Sequence, residues 1–296
     1  MTTGPQLPTE PILEMKEVTK KYGHKVVLDG LSLEIYRGET LVLIGGSGSG
    51  KSTFARMLVG LERPTSGVVR VFGVALDHLH ERALARVQRR MGVVFQRHAL
   101  LDSMTVFDNV AFALREDSDL PEPEILERVD RALAELGVAE AAQQLPGQLS
   151  GGMAKRVAIA RAVVTEPEIL VYDEPTTGLD PMNARVVDGL IERMREQHLV
   201  TSVVITHDMV TAYDVADRVA LLVDGRIAAC GPPEEIFRSH DDRVRPFADA
   251  SGLDLDRLGP RRSRKSAAEI RARWSEDPHG PLRTRSGWLG RRHSAA

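Results

Sequence analysis

Leu41-Val42-Leu43-Ile44-Gly45-Gly46-Ser47-Gly48-Ser49-Gly50-Lys51-Ser52 is the stretch on which the reading of this chain turns. Four consecutive apolar residues leave no polar side to face water, so 41–44 is expected to be a strand covered on both faces of a parallel sheet. The Gly/Ser run that follows predicts a loop whose amides can turn inward, and a helix is expected from about Lys51 to Val59. Strand, Gly45-x-x-x-x-Gly50-Lys51-Ser52 and helix, in that order, make a phosphate-binding loop. Its amides and the helix N-terminus would surround β- and γ-phosphates, Lys51 would bridge phosphate oxygens, and Ser52 would ligate Mg²⁺. A plain Gly/Ser turn or a dinucleotide loop is the alternative, and the Lys-Ser pair after the last glycine argues against both.

Working outward, short apolar runs between Ile12 and Phe72 alternate with polar residues, as Leu31, Leu33 and Ile35 do with Ser32, Glu34 and Tyr36, and predict strands. From Pro121 the period changes. Ile125, Val129, Ala132, Leu133 and Leu136 recur at helical spacing, Glu124/Arg128 and Glu127/Arg131 form i,i+4 pairs on the outer face, and Gly137 ends the pattern. Ile169–Tyr172 and Ser202–Thr206 are further β-branched runs, separated by a helical stretch from about Met182 to Gln197. Val219–Val223 and Ile227–Cys230, joined by Asp224-Gly225, predict a tight hairpin, and the apolar strand around Cys230 predicts a buried thiol. This alternation indicates an α/β fold on a parallel sheet with a helical segment inserted.

Composition narrows the class further. With 296 residues, 42% hydrophobic and 27% charged, the chain has enough apolar material for a real core, so disorder throughout is excluded. A single cysteine excludes a disulfide scaffold. Met1–Glu17, rich in Pro and Glu, has neither a basic start nor an apolar core and is not expected to act as a signal peptide. No apolar run approaches the roughly 18 residues a membrane-spanning helix needs, so membrane contact is expected to go through a partner. The formal net charge of −3 is a cancellation: through residue 259 there are 29 basic against 39 acidic residues, and beyond it 10 against 3. Both tryptophans, Trp274 and Trp288, fall in that basic tail, 260–296.

Two more segments carry chemistry. Ile169-Leu170-Val171-Tyr172-Asp173-Glu174 places two acids at the end of an apolar strand: Asp173 would hold Mg²⁺ through water, and Glu174 would polarise an attacking water. Leu149-Ser150-Gly151-Gly152-Met153 precedes the helical run Ala154–Val164, so its amides form a second anion-binding end. One nucleotide held by Lys51 does not need two cradles. The second is best explained as holding the γ-phosphate of a nucleotide on another copy of the chain.

At about residues 11–240 the chain resembles the ATP-binding cassette family: Tyr22, the loop at 45–52, Gln96, the 149–153 signature, Asp173-Glu174, Gly178-Leu179-Asp180 and His207 follow in its order. The resemblance implies a phosphate-loop parallel core sheet with an antiparallel β subdomain and an inserted helical subdomain at about 97–165, all within an ATPase domain spanning 1–259. It implies that Gly45, Gly46, Ser47, Gly48, Ser49, Gly50, Lys51, Ser52 and Thr53 hold ATP, with Tyr22 stacked on adenine. Ser150, Gly151, Gly152 and Asp180 would meet the nucleotide or its interface across a dimer. Ser52, Gln96 and Asp173 would serve the Mg²⁺, and Glu174, His207, Lys51 and Gln96 the hydrolysis.

Within that family, Met153 at the fifth signature position, Ala99–Val110 and Asp242-Arg243-Val244-Arg245-Pro246-Phe247 are similar to the ATPases of Mla/Mce-type phospholipid transport systems. This implies a peripheral protein on the cytoplasmic face of a bacterial inner membrane, partnered by a second copy, an integral-membrane permease and an Mce-domain lipid-binding protein. Residues 99–110 would cradle the permease. An amino-acid or osmolyte importer is the alternative. A repair or ribosomal ATPase is disfavoured, because the chain has neither a long coiled-coil insertion nor a second cassette. The tail is open between a solvated arm, a contact with a sister subunit or anionic lipid, and a nucleic-acid arm; no specific nucleic acid is expected.

Overall fold

Alternating apolar residues near the N-terminus build an antiparallel sheet. In the computed structural model, which describes residues 10–96, 98–250 and 269, strand β1 (Leu13–Tyr22) pairs with β2 (Lys25–Ile35) and with β4 (Ser66–Val71), and the short β5 (Val74–Ala75) lies outside β4. Leu13, Met15, Leu31, Leu33 and Ile35 all turn into one core while the residues between them face outward, which is what a half-buried sheet requires.

The run 41–44 lies in β3 (Thr40–Ile44), buried at every position. Its neighbours are β8 (Thr201–Ile205) and β9 (Arg218–Val223), both parallel to it, with β7 (Ile169–Asp173) and β6 (Met91–Val94) continuing beyond β8. Only β10 (Arg226–Gly231) runs antiparallel, at the edge beside β9. Alternate residues of β3 enter opposite cores, Leu41 and Leu43 on one face and Val42 and Ile44 on the other. The first face is covered by the antiparallel sheet and α1 (Lys51–Leu58). Helices cover the second: α3 (Val106–Asp117), α4 (Glu122–Glu135), α5 (Gly151–Val163) and α6 (Pro181–His198) all contribute to its core.

On α4 the periodic residues Ile125, Val129, Ala132 and Leu133 are buried, and the pairs Arg128–Glu124 and Arg131–Glu127 close at 2.9 and 3.5 Å on the outer side. The hairpin turns at Asp224 (φ 47°) and Gly225 (φ 76°), two left-handed residues as a type I′ turn demands. Periodicity does not announce α2 (Glu81–Gln88) or β6: a four-residue strand and an eight-residue helix that buries only Val87 are too short to show a period. The buried thiol is corrected by the structure, because Cys230 is exposed. The register shifts between Ile227 and Ala229, and an edge strand has one open flank, so Cys230 points outward with its Sγ accepting from Arg218 Nη2 at 3.2 Å.

The boundary at residue 259 and, apart from Glu269, the tail 260–296 lie outside the described residues. Among the described residues, no helix is long and apolar enough to cross a membrane.

Candidate functional site

All five parallel strands end on one edge of the sheet, and the loops leaving β3, β7 and β8 gather there, in the crevice where open α/β sheets bind ligands. After β3 the chain turns through the glycine loop into α1. Gly50 sits at φ 108°, and a Cβ there would lie 2.9 Å from the Val27 carbonyl and 2.7 Å from Leu28 Cδ2, so neither backbone nor space admits a side chain. Gly50 is also the N-cap of α1 and offers no capping side chain, which leaves first-turn amides of the helix available to an anion. Lys51 Nζ folds back over the loop and donates to the carbonyls of Gly45 (2.8 Å) and Gly46 (2.9 Å). Burial pulls its pKa down, against the opposing pull of Glu174 and Asp173. Ser49 Oγ is buried without a partner in this loop. An uncapped helix start, an ammonium and an orphaned hydroxyl are the donors a polyphosphate needs.

Asp173 closes β7, and burial, followed by the adjacent Glu174 charge, raises its pKa. Together with Ser52 it borders a cavity of about 160 Å³ between α1, β6 and β7 whose other walls are mainly apolar, Ala55, Val59, Val93 and Val171 among them. A hydroxyl and a carboxylate facing one space form an oxygen donor set of the kind Mg²⁺ selects. Glu174, nearly buried, adopts a left-handed backbone (φ 51°) unusual for a side-chain-bearing residue, a strain that persists only where the surroundings over-determine it. The surroundings here do so. Its amide donates to the Ile205 carbonyl at 2.8 Å, and its Oε2 meets Thr177 Oγ1 at 2.9 Å, His207 Nδ1 at 2.8 Å and Thr206 Oγ1 at 3.5 Å. Gln96, exposed just past β6, is tied in through its carbonyl, which accepts from Lys155 Nζ at 2.8 Å.

Tyr22, at the end of β1, donates its hydroxyl to Glu62 and accepts at 3.5 Å from Arg56 of α1, with Lys20 Nζ 5.1 Å from its ring centre. Ser150 caps α5, accepting from the Met153 amide at 3.3 Å. The adjacent Gly152 lies so close to Asn183 that a Cβ would come within 2.6 Å of its Oδ1, and Asn183 is itself held by Asp180, which caps α6. Ser150, Gly151, Gly152 and Asp180 therefore form a second cluster. Among the described residues, no hydrogen bond or ion pair joins that cluster to the phosphate loop. The loops after β3, β6, β7 and β8 carry Lys51, Gln96, Asp173-Glu174 and His207 to that edge of the sheet, and the signature opens the helix whose Lys155 reaches the Gln96 and Glu174 carbonyls. Sequence reasoning misses Thr177, Thr206 and Lys155; Ala154–Val164 carries three cations, Lys155, Arg156 and Arg161, and nothing in the sequence singles out the first.

Behind His207, α7 (Met209–Val215) is fastened to α6 by a buried polar chain. Thr211 Oγ1 lies 3.0 Å from Asp188 Oδ1 and 3.2 Å from Asp208 Oδ2, its single proton serving one of the two carboxyls. Burial, reinforced by Asp208 and Glu192 and opposed by Thr211 and Arg185, pushes the Asp188 carboxyl up to about 7. A carboxyl raised in the folded state contributes stability that is complete below the ordinary carboxylate range and is lost as pH rises through about 7. Asp188→Asn, which cannot ionise, is expected to show a shallower fall in Tm from about pH 5 to about pH 8 than the unaltered chain. Thermal melts across that range check it; parallel slopes would refute it. Glu39, raised to about 7 by burial against the pull of Arg218, keeps some slope in both chains.

Comparison with known proteins agrees with this geometry. A family description reading "ABC transporter" matches residues 28–177. The intermembrane phospholipid transport system ATP-binding protein MlaF of Haemophilus influenzae is 38% identical over 236 residues, covering 80% of this chain and 89% of that protein. The methionine import ATP-binding protein MetN of Brucella abortus is 40% identical over 240 residues, 81% of this chain, which spans 65% of MetN's length. The dimeric structure of MJ0796, a bacterial ABC transporter cassette, superposes with a TM-score of 0.70 at 32% identity, covering 75% of this chain and 98% of that one. The same cassette has been captured in a post-hydrolysis state bound to ADP and Pi. The cbiO1 protein of Clostridium perfringens superposes with a TM-score of 0.72 at 32% identity. With a cassette fold and relatives that cover most of its length, the chain belongs to the ABC transporter family as its ATP-hydrolysing domain.

Proposed function

We propose that this ATPase powers phospholipid movement across a bacterial cell envelope, as the peripheral, cytoplasmic-side subunit of an inner-membrane complex. The likeness to MlaF, which runs through 89% of that protein against 65% of MetN, is the observation that carries the lipid reading. The 99–110 segment, where a permease would dock, supports it. Methionine import is the second reading, on the 40% identity to MetN.

In the proposed cycle two copies close on ATP, each phosphate loop facing the signature of the other. The dimeric form of the similar MJ0796 cassette supports this, and among the described residues no hydrogen bond ties Ser150 or Gly152 to their own phosphate loop. Lys51 leaves the Gly45 and Gly46 carbonyls for the β- and γ-phosphates, and the α1 amides take the remaining oxygens. Ser52, Asp173 and Gln96 would hold Mg²⁺, whose chemistry is to neutralise phosphate charge. Glu174 orients and polarises the attacking water, while His207, hydrogen-bonded to it, reaches the γ-phosphate from its exposed ring. ATP favours the closed pair and hydrolysis removes that preference.

The test is to isolate the tagged chain from the membranes of its own cell and identify what accompanies it. A permease, an Mce-domain protein and bound phospholipid are expected. An amino-acid-binding protein in their place selects the import reading and overturns the lipid one.

A further inference from the structure

Lys155 is 0% exposed, in the interior of α5, with Ala154, Val157, Ala158 and Ile159 buried beside it. Burying an ammonium is costly, and an apolar side chain of the same length would serve packing better. What the charge does instead is specific. Its Nζ donates to the Gln96 carbonyl at 2.8 Å and to the Glu174 carbonyl at 3.0 Å, joining the loop after β6 to the loop after β7. Six residues along the same helix, Arg161 donates to the carbonyls of His98 (2.9 Å) and Ala99 (2.5 Å), two residues that both adopt positive φ. The helix that begins at the signature thus grips the Gln96 loop at two points, and only Lys155 passes that grip on to Glu174.

We propose that Lys155 is a positioning residue for ATP hydrolysis: its ammonium seats the Gln96 loop and the strained backbone of Glu174 against one another and against the signature helix. This rests on the assignment of Glu174 to the attacking water. Fully buried, Lys155 acts through the two carbonyls it holds. Its effect is on geometry, and misplacement of a reacting group by about 1 Å costs on the order of 100-fold.

The experiment compares kcat, the equilibrium affinity for Mg·ATP and Tm in the full chain and in K155M, K155R and E174Q. Expected are a kcat lowered about 10- to 100-fold in K155M with affinity unchanged within about threefold, and recovery of most of the loss in K155R, which keeps donors for both carbonyls. An unchanged kcat in K155M, or affinity and kcat falling together, overturns the proposal. If K155M does not fold, K155Q carries the same test on a shorter donor; a chain that folds with neither assigns Lys155 to stability alone and likewise overturns it. Normal turnover in E174Q overturns the Glu174 assignment instead, so the two failures are told apart.

Discussion

Glu174→Gln is expected to bind Mg·ATP as the unaltered chain does and to hydrolyse it about 10²- to 10⁴-fold more slowly, the range a positioned general base supplies. The substitution keeps size and shape and can keep the Thr177 and His207 contacts, which lie at 2.9 and 2.8 Å. What it removes is the negative charge that polarises water. On the proposed roles, binding rests with the phosphate loop and not with Glu174, so KM should hold while kcat collapses. Two chains locked on unhydrolysed ATP should then accumulate, visible as a shift from monomer to dimer in size-exclusion chromatography only when ATP is present. Steady-state turnover at the unaltered rate would remove Glu174 from the mechanism.

Lys51→Ala is expected to fail earlier. Its ammonium lies over the Gly45 and Gly46 carbonyls, in the hollow that the loop presents to phosphate. A hydrogen bond to a charged group contributes about 1.5–3 kcal/mol, so Mg·ATP affinity should drop about 10- to 100-fold, with turnover falling alongside it. Fluorescent-nucleotide titration and the ATPase assay together separate this from Glu174→Gln: there binding stays and chemistry goes, here both go. Normal Mg·ATP affinity in Lys51→Ala would overturn the phosphate-loop reading.

How much of this was legible beforehand depended on the reach of each interaction. The phosphate loop is contiguous, so composition and order reveal it: a buried strand, a glycine turn and a helix start within twelve residues. The acid pair at the end of β7 is legible for the same reason. The restraints on Glu174 are not, since Thr206 and His207 lie 32 and 33 residues away along the chain and approach only when β8 settles beside β7. Lys155 meets Gln96 across 59 positions. Cys230 misled because strand alternation assumes an unbroken register, and one bulge in β10 turns the thiol outward.

By itself, then, the sequence determined the α/β class, the parallel core strands and the ATPase family, because each rests on short-range pattern: apolar period, glycine turn, helix start. Only the tertiary structure decided which of the candidate residues share a crevice. It placed Lys51, Asp173, Glu174, His207 and Gln96 at one sheet edge and packed Gly152 against the Asn183 that Asp180 holds, because strand order and helix packing are fixed by contacts between residues far separated in the chain.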